Sequence, residues 1–467
     1  MIKLLLLLLY VTLILTVIFV ERKSPTEALL WVLVLVCLPY FGAVLYLIFG
    51  STVSIKLTAF LRRRRLRKRL PAAAAPQELL QCGELSEEDL QVIRFNATYN
   101  HSKITCYDDA QLFTTGESHY RALFRDISDA KECIYIEFYT IHHDLMGEAL
   151  VKALTKKAKE GVTVLVMCDF IANLSTPRKM FQPLVEAGGK VLRLKPYLTH
   201  YRSHRKIVAI DHRVGYIGGM NIGKQYANLG KKKNPWRDTQ VRLSGACTAI
   251  LDAHFMTDWL CAVRRKDWEA TVTYMESLRL PEYNKTEDLC QFIIGGVDND
   301  KEAVKMNYLS MIRSAKRTIR IQSPYFIPDA SVLDALKTAA ASGVEIQLMI
   351  PGIKASFFLD PVTTWYAGQL LEYGAKVYKY RGYIHAKTMV IDEELCCIGS
   401  VNMDMRSLMV DDEVCGVFYS NDLVSQYIDR YNQDTEQCDP YSWEQFSQRG
   451  RKERLAEIVF LPFAPLM

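Results

Sequence analysis

The stretch HRKIVAID at residues 204–211 recurs as HAKTMVID at residues 385–392, so the chain carries the pattern His-x-Lys-x-x-x-x-Asp twice. Each copy leads to a small-residue turn and an Asn, GGMN at 218–221 and GSVN at 399–402. A single copy would be ordinary structure in most proteins. Two matched copies supply two imidazoles, two ammonium groups and two carboxamides, a set that can bind a phosphate and attack it without a metal.

The apolar residues after each His-x-Lys pair predict that both motifs lie on buried strands. Residues i and i+2 of a strand point to the same face, so each His projects together with its Lys. Each Asp then begins a turn into a second strand, and we interpret its role as more structural than chemical. The candidate catalytic residues are His204, Lys206, Asp211, His385, Lys387 and Asp392.

The strand that follows each motif ends at Gly-Gly or Gly-Ser, where backbone N–H groups can approach an anion closely. Together with the lysines, the Asn after each turn is expected to bind phosphoryl oxygens, on which charge builds in the transition state. The predicted phosphate-binding residues are Gly219, Asn221, Ser400 and Asn402.

These doubled motifs resemble the signature of the phospholipase D superfamily, and the run GSVNMDMRS at residues 399–407 resembles its bacterial cardiolipin synthase branch. The resemblance covers nearly the whole chain. Gly219 stands where the second copy has Ser400, and both forms are common in the family. Asp238 and Glu413 occupy matching places downstream of the two motifs. The resemblance implies that each accepts a hydrogen bond from a catalytic His and fixes its tautomer.

A second set of repeats predicts the fold. Residues 130–137 match residues 315–322, and 161–166 match 343–350, each a strand next to an amphipathic helix. This order predicts an α/β fold of parallel strands covered by helices on both faces. We expect two phospholipase D-like lobes that form a pseudo-twofold dimer with one shared active site, because separate sites would each have one imidazole without a partner acid. The predicted units are a transmembrane hairpin at 1–60, a basic segment and linker at 61–86, lobe 1 at 87–275 and lobe 2 at 276–467.

Two apolar runs, at residues 2–20 and 28–49, predict the membrane hairpin. At about 1.5 Å per residue, each run is long enough for a hydrocarbon core of roughly 30 Å. The loop between them is too short for a domain. A cleaved signal peptide is disfavoured because no small-x-small pattern follows Val20 and the second run comes at once.

Seven basic residues at 62–69 directly follow the second run. The positive-inside rule therefore predicts a cell-membrane protein with two spans and a cytoplasmic catalytic part. The same block is expected to attract an anionic phospholipid membrane. The net charge is +6, and without this block the chain is near neutral. That balance counts against a nucleic-acid partner.

Twelve cysteines are scattered through the chain and none forms a Cys-x-x-Cys pair. We therefore predict no zinc site and no metal or other cofactor, and a reducing compartment. The apolar context of Phe357-Phe358 and Trp365-Tyr366 favours core packing over anchoring at a membrane interface. The C-terminal FLPF at residues 460–463 is expected to dock on the body of the protein.

The resemblance implies phosphatidyl transfer between two phosphatidylglycerol molecules, which yields cardiolipin and glycerol through a phosphohistidine. It assigns His204 as nucleophile and His385 as acid and base, although the residues themselves do not distinguish the two. Acceptor choice depends on the shape of the cleft, so water or another alcohol such as phosphatidylethanolamine stays open. A membrane-tethered nuclease would use the same residues, whereas two intact motifs count against a non-catalytic scaffold.

Overall fold

The computed structural model describes residues 2–21, 25–51, 60, 85–195, 202–229, 235–284, 286–296, 302–354, 356–419 and 421–467. Of the basic segment and linker predicted at 61–86, only residues 85 and 86 lie within the described residues. The helices are Ile2–Leu15, Pro25–Cys37, Pro39–Leu45, Glu87–Tyr99, Gly116–Asp129, Leu145–Lys159, Gln182–Glu186, Cys247–Ala262, Trp268–Ser277, Ala303–Ser314, Ala330–Ala341, Leu359–Leu371, Met405–Met409, Asn421–Glu436, Trp443–Ser447 and Arg451–Phe460. Short π-helical turns are Thr16–Val20 and Tyr46–Gly50, and 3₁₀ turns are Arg178–Phe181, Arg265–Asp267 and Leu461–Leu466.

The N-terminal apolar runs form two helical segments that contact each other. The Tyr10 hydroxyl donates to the carbonyl of Leu35, and Val17, Leu35 and Tyr46 form a small buried cluster. Within the described ranges, no helix is both long enough and apolar enough to cross a bilayer. The second run is interrupted at Leu38, with φ −129° and ψ 67°, because the following Pro39 disfavours helical geometry in the residue before it.

The first half of the chain builds a seven-stranded sheet. Its strands, in spatial order, are Asp109–Phe113, Gln240–Ser244, Val214–Gly218, Lys206–Ile210, Cys133–Phe138, Thr163–Asp169 and Lys190–Leu194. The last three of these are parallel to one another, and the other neighbouring pairs are antiparallel.

The second half repeats this order and adds one strand at each edge. Its strands, in spatial order, are Ile104–Cys106, Leu289–Gly295, Glu413–Phe418, Leu395–Gly399, Thr388–Ile391, Thr318–Gln322, Glu345–Pro351, Lys376–Tyr380 and Cys438–Tyr441. Short parallel pairs join Phe326–Ile327 to Met403–Asp404 and Trp236–Arg237 to Tyr383–Ile384. The shared order of seven strands agrees with the predicted internal repeat.

The prediction of parallel strands is therefore correct for only three strands of each sheet. Tight turns reverse the chain after each motif, with positive φ at Asp211 (52°), His212 (57°), Asp392 (52°) and Glu393 (66°). Each turn brings the next strand back antiparallel to the motif strand. Such a reversal produces a mixed sheet without a crossover helix.

The two sheets pack face to face over a shared core. Ile207, Ile217 and Val241 of the first sheet lie in one buried cluster with Val390 and other residues of the second. The segment Glu87–Tyr99, which the sequence assigns to lobe 1, packs instead on the second sheet, and Ile104–Cys106 forms that sheet's edge. The halves are therefore interlocked, and each motif His lies just before the start of its strand.

Candidate active site

The local strand geometry sets each His beside its Lys. His204 lies just before the strand that Lys206 begins, and the Lys206 ammonium donates to the His204 carbonyl. In the same way, the Lys387 ammonium donates to the His385 carbonyl. Both lysines are fully buried. Both imidazoles keep a small exposed fraction, 13% for the His204 side chain and 11% for His385. The motif thus presents an accessible imidazole above a buried cation.

Short stretches of parallel pairing connect the two motifs across the halves. Ser203 pairs with Asp412, and Ile384 pairs with Arg237. In each pair, one residue directly precedes a motif His and the other directly precedes a carboxylate of the opposite half. The His204 amide donates to the Asp412 carbonyl at 2.8 Å, and the His385 amide donates to the Arg237 carbonyl at 2.6 Å. This arrangement is the pseudo-twofold relation that the repeat predicts.

The two carboxylates consequently bind the imidazoles crosswise. Nδ1 of His204 lies 2.9 Å from Oε1 of Glu413, and Nδ1 of His385 lies 2.6 Å from Oδ2 of Asp238. A neutral imidazole that donates its Nδ1–H to a carboxylate keeps the Nε2 lone pair free for chemistry. The predicted His–carboxylate contacts are present, and each joins one half of the chain to the other.

The two motifs differ at one equivalent position, which is Gly219 in the first and Ser400 in the second. This difference has a steric cause. A Cβ on Gly219 would lie 2.1 Å from Oδ1 of Asp238, so only Gly fits there. Ser400 instead donates its hydroxyl to Oε2 of Glu413 and accepts the Val414 amide at 3.0 Å. The Ser400 hydroxyl is therefore engaged in holding Glu413, and phosphate binding by Ser400 stays a prediction.

Burial governs the titration of the site. It lowers the pKa of Lys206 to about 7 and that of Lys387 to about 8. Burial, with both lysines nearby, lowers the pKa of His385 to about 4 and that of His204 well below its ordinary value. Although burial opposes it, the charge of Lys387 and the bond from His385 lower the pKa of Asp238. The imidazoles are therefore neutral at pH 7, as a nucleophile and a general base require.

The two predicted carboxamides occupy different environments. Asn221 accepts the Thr140 amide at 3.1 Å through Oδ1 and donates to the Tyr226 hydroxyl at 2.8 Å through Nδ2. Asn402 is 8% exposed, and its buried Oδ1 has no hydrogen-bond partner among the described residues. Asn221 is therefore held by the protein, and phosphate binding by either Asn stays a prediction.

Asp211 and Asp392 lie away from the imidazoles. Each follows its His by seven extended residues, a separation of roughly 20 Å at ~3.3 Å per residue. The Asp211 carboxylate accepts the amides of Lys131, Glu132 and Cys133 at 2.7–2.9 Å. The Asp392 carboxylate accepts three equivalent amides. Both carboxylates hold the loop that enters the first of the three parallel strands, which agrees with the structural role expected for them, and a catalytic role for either stays a prediction.

Aromatic rings pack against both imidazoles. None of them was predicted as a site residue from the sequence. Tyr139 packs edge-on against His204 with ring centroids 4.8 Å apart. Trp236, Tyr226 and Tyr383 lie 5.0, 6.0 and 5.8 Å from the His385 ring. A signal existed for two of them, since Tyr383 lies two residues before a catalytic His and Trp236 two before Asp238. Residues two apart on a strand point to the same face, so Tyr383 is expected beside His385 and Trp236 beside Asp238.

Comparison with known proteins agrees with this geometry. A family model described as "Cardiolipin synthase, PLD-like domain" matches residues 123–255 and 308–435. A second, described as "Phospholipase_D-nuclease N-terminal", matches residues 8–51. The chain is 35% identical to the major cardiolipin synthase ClsA of Bacillus subtilis, over 97% of this chain and 96% of that protein.

A cardiolipin synthase of Listeria monocytogenes is 33% identical over 96% of this chain and 95% of its own length. The crystal structure of a phosphatidylserine synthase from Haemophilus influenzae superposes with a TM-score of 0.61 at 14% identity, covering 80% of this chain and 97% of that one. At that identity the likeness concerns the fold. The resemblance seen in the motifs is confirmed: the chain belongs to the cardiolipin synthase family of phospholipase D-like proteins, and it is an enzyme.

Proposed function

We propose that the protein transfers a phosphatidyl group from one phosphatidylglycerol to a second one, which yields cardiolipin and glycerol. The observation that carries this proposal is the crosswise pairing of two imidazoles with two carboxylates beside two buried lysines. A double displacement at phosphorus needs one nucleophile and one acid–base group, and the pairing provides both. The names of the relatives support cardiolipin as the product.

In the first half-reaction, Nε2 of His204 attacks the phosphorus of phosphatidylglycerol. A P–N bond forms as the P–O bond to the headgroup glycerol breaks. His385, protonated in the enzyme–substrate complex, gives its proton to the leaving glycerol oxygen. Glu413 stabilises the positive charge that develops on His204, as the orienting carboxylate does in other nucleophile–imidazole systems.

In the second half-reaction, the free hydroxyl of another phosphatidylglycerol enters. His385 takes its proton, the oxygen attacks phosphorus, and the P–N bond breaks to release cardiolipin and neutral His204. Lys206 and Lys387 stabilise the equatorial oxygens of each transition state, and Asn402 offers its amide to the same oxygens. A neutral His204 at rest suits the attack, whereas His385 takes up a proton as the anionic diester binds and then acts as the acid.

The N-terminal segment holds the enzyme at the cell membrane, with residues 2–20 and 28–49 entering the bilayer as a hairpin. The apolar composition of both runs and the family match over 8–51 support this part of the proposal. The basic block at 62–69 supports a cytoplasmic catalytic part. Extraction of membranes at alkaline pH and protease accessibility in spheroplasts against inverted vesicles test the anchoring and the orientation.

The decisive experiment follows radiolabelled phosphatidylglycerol in vesicles, with EDTA present, for wild type, His204→Ala and His385→Ala. The expected result is cardiolipin plus free glycerol from wild type only. Phosphatidic acid would identify a hydrolase, and a mixed diester formed when phosphatidylethanolamine is added would identify another acceptor. Cleavage of single-stranded DNA without lipid turnover would identify a nuclease and overturn the proposal.

The covalent intermediate has its own test. Acid-sensitive label on the protein, mapped by mass spectrometry after a rapid quench at alkaline pH, is expected on the peptide that contains His204. His385→Ala should show little label, because the first half-reaction lacks the acid that protonates the leaving glycerol. Label on the His385 peptide instead would reverse the assigned roles.

A further inference from the structure

Two adjacent phenylalanines project from the second half into solvent. Phe357 is 83% exposed and Phe358 is 48% exposed, so the core packing expected from the sequence is wrong for this pair. They lie in the loop between the strand Glu345–Pro351 and the helix Leu359–Leu371. An exposed pair of large aromatic rings marks an interaction surface more often than a structural need.

The helix Arg451–Phe460 also turns an apolar face outward. Leu455, Ile458 and Val459, spaced at i, i+3 and i+4, are 61%, 68% and 48% exposed. Its inner face carries Glu457, which is 4% exposed and accepts the Arg449 Nε at 2.6 Å. An acidic anchor inside and aliphatic side chains outside reverse the usual pattern of a helix on a protein surface.

A ring contact joins the phenylalanine loop to the end of this helix. The rings of Phe357 and Phe460 meet edge to face with centroids 5.2 Å apart, and Phe463 is 52% exposed in the turn that follows. We call this surface the C-terminal apolar patch. It consists of Phe357, Phe358, Leu455, Ile458, Val459 and Phe463.

Basic side chains flank the patch. Lys354, Arg451, Lys452 and Arg454 are all exposed. The exposed acid of the helix, Glu453, is committed to the helix start, where it accepts the Gly450 amide at 3.2 Å. An apolar face bordered by Lys and Arg matches the charge and polarity of an anionic lipid surface.

The patch is close to the active-site cleft. The turn Leu461–Leu466 contacts the helix Met405–Met409, which begins three residues after Asn402. The first half adds apolar side chains near the cleft: Ile171 and Leu174 are 36% and 63% exposed in the loop after Asp169. Asp169 itself accepts the amide of Ser203, the neighbour of His204, at 3.3 Å. Exposed apolar groups therefore come from both halves near the catalytic motifs.

From this placement we infer that the C-terminal apolar patch docks on the surface of an anionic bilayer and inserts its aromatic and aliphatic side chains among the lipid headgroups. Docking would bring the cleft to the leaflet, so that a diester enters it without leaving the membrane. The inference rests on the proposed lipid function for its purpose, whereas the docking itself is independent of turnover.

The first test measures contact with lipid. Full-length Phe357→Trp is reconstituted in vesicles of phosphatidylglycerol and phosphatidylcholine whose acyl chains carry bromine near the headgroup, and quenching is compared with the parent protein. Val185→Trp is the control, since Val185 is an exposed apolar residue outside the patch, with 48% of its surface exposed. It lies beside Ala187 and Gly188, which share a hollow with Gly161 at the amino ends of the parallel strands, whereas the neighbour of His204 meets Asp169 at their carboxyl ends. Extra quenching for Phe357→Trp alone is expected, and equal quenching at both positions overturns the inference.

The second test separates docking from chemistry. Leu455→Gln/Ile458→Gln removes two exposed apolar side chains and should leave the fold intact. We expect the apparent KM for phosphatidylglycerol in vesicles to rise about tenfold, with kcat/KM on monomeric short-chain phosphatidylglycerol unchanged. Val185→Gln/Leu280→Gln, which changes two exposed apolar residues elsewhere, should alter neither value.

An unchanged vesicle KM in Leu455→Gln/Ile458→Gln would contradict docking. A smaller particle mass for this variant than for wild type in light scattering, without any change in lipid contact, would contradict it as well. The latter outcome would identify the patch as a contact between copies of the chain. If the protein does not turn over phosphatidylglycerol at all, the quenching experiment still tests docking. A failure of the proposed function can therefore be distinguished from a failure of the docking inference.

Discussion

Asp238 in the first half of the chain accepts a hydrogen bond from Nδ1 of His385 in the second half, with 2.6 Å between the two atoms and 147 residues between the two positions. Glu413 and His204 repeat the relation in the opposite direction. Each imidazole therefore depends on the other half for its orientation. A lobe folded alone would hold a motif without its carboxylate, and a single catalytic centre requires both.

We expect Asp238→Asn and Glu413→Gln each to lower kcat by about 100- to 10,000-fold, because an amide no longer selects the imidazole tautomer with Nε2 free. KM should change little. Asp252→Asn is a matched control, since Asp252 holds His212 at 2.8 Å in a buried pair outside the cleft. It should affect thermal stability and leave kcat intact. A kcat loss in the control equal to that in the site variants would indicate a purely structural effect.

The steric account of the two motifs predicts an asymmetry. Gly219→Ser makes the first motif match the second, yet its Cβ would meet Asp238 Oδ1 at 2.1 Å and displace the carboxylate. A shift of that kind should lower kcat about 100-fold or more. Ser400→Gly loses one hydrogen bond to Glu413 and should cost about tenfold. Gly450→Ser, where a Cβ meets nothing within 4 Å, should leave kcat unchanged. Equal kcat losses in Gly219→Ser and Ser400→Gly would refute this account.

The pH profile should report the buried lysines. Because burial lowers the pKa of Lys206 to about 7 and that of Lys387 to about 8, the two ammonium groups lose charge in turn as pH rises, and kcat/KM for the anionic substrate falls in two overlapping steps. Arg stays protonated throughout, so Lys387→Arg should remove the later step near pH 8 and leave the step that Lys206 causes near pH 7, even if its peak activity is lower. Lys376→Arg, at an exposed lysine that pairs with Glu345, should leave the profile as it is. A later step that persists in Lys387→Arg would exclude Lys387 as its source.

The turn carboxylates should govern stability instead of catalysis. Asp392→Ala removes the acceptor of the Lys316, Arg317 and Thr318 amides, which lie 2.6–2.7 Å from its oxygens. We expect the variant to be less stable by about 3 kcal/mol, seen as a lower thermal midpoint, with near-normal kcat in the folded fraction. Glu394→Ala, at an exposed partner of Arg317, should change stability by less than about 1 kcal/mol. A lower kcat without a lower thermal midpoint in Asp392→Ala would indicate that Asp392 has a catalytic role.

The sequence was sufficient for features that depend on neighbours along the chain. Alternation on a strand puts His204 beside Lys206 and His385 beside Lys387, and the turn after each motif is evident from Asp211 and Asp392. The repeat of strands and helices likewise predicts two similar α/β halves. These relations are local, so periodicity and turn chemistry determine them before any packing is considered.

Only the tertiary structure decided which carboxylate serves which imidazole, because Glu413 and His204 are 209 residues apart and meet through the packing of two sheets. The same packing decided that the segment Glu87–Tyr99 covers the second sheet and that the Ser400 hydroxyl holds Glu413. It also left Phe357 exposed, which composition could not indicate. Burial and pairing between distant segments depend on how whole faces fit together, and no short stretch of sequence encodes that fit.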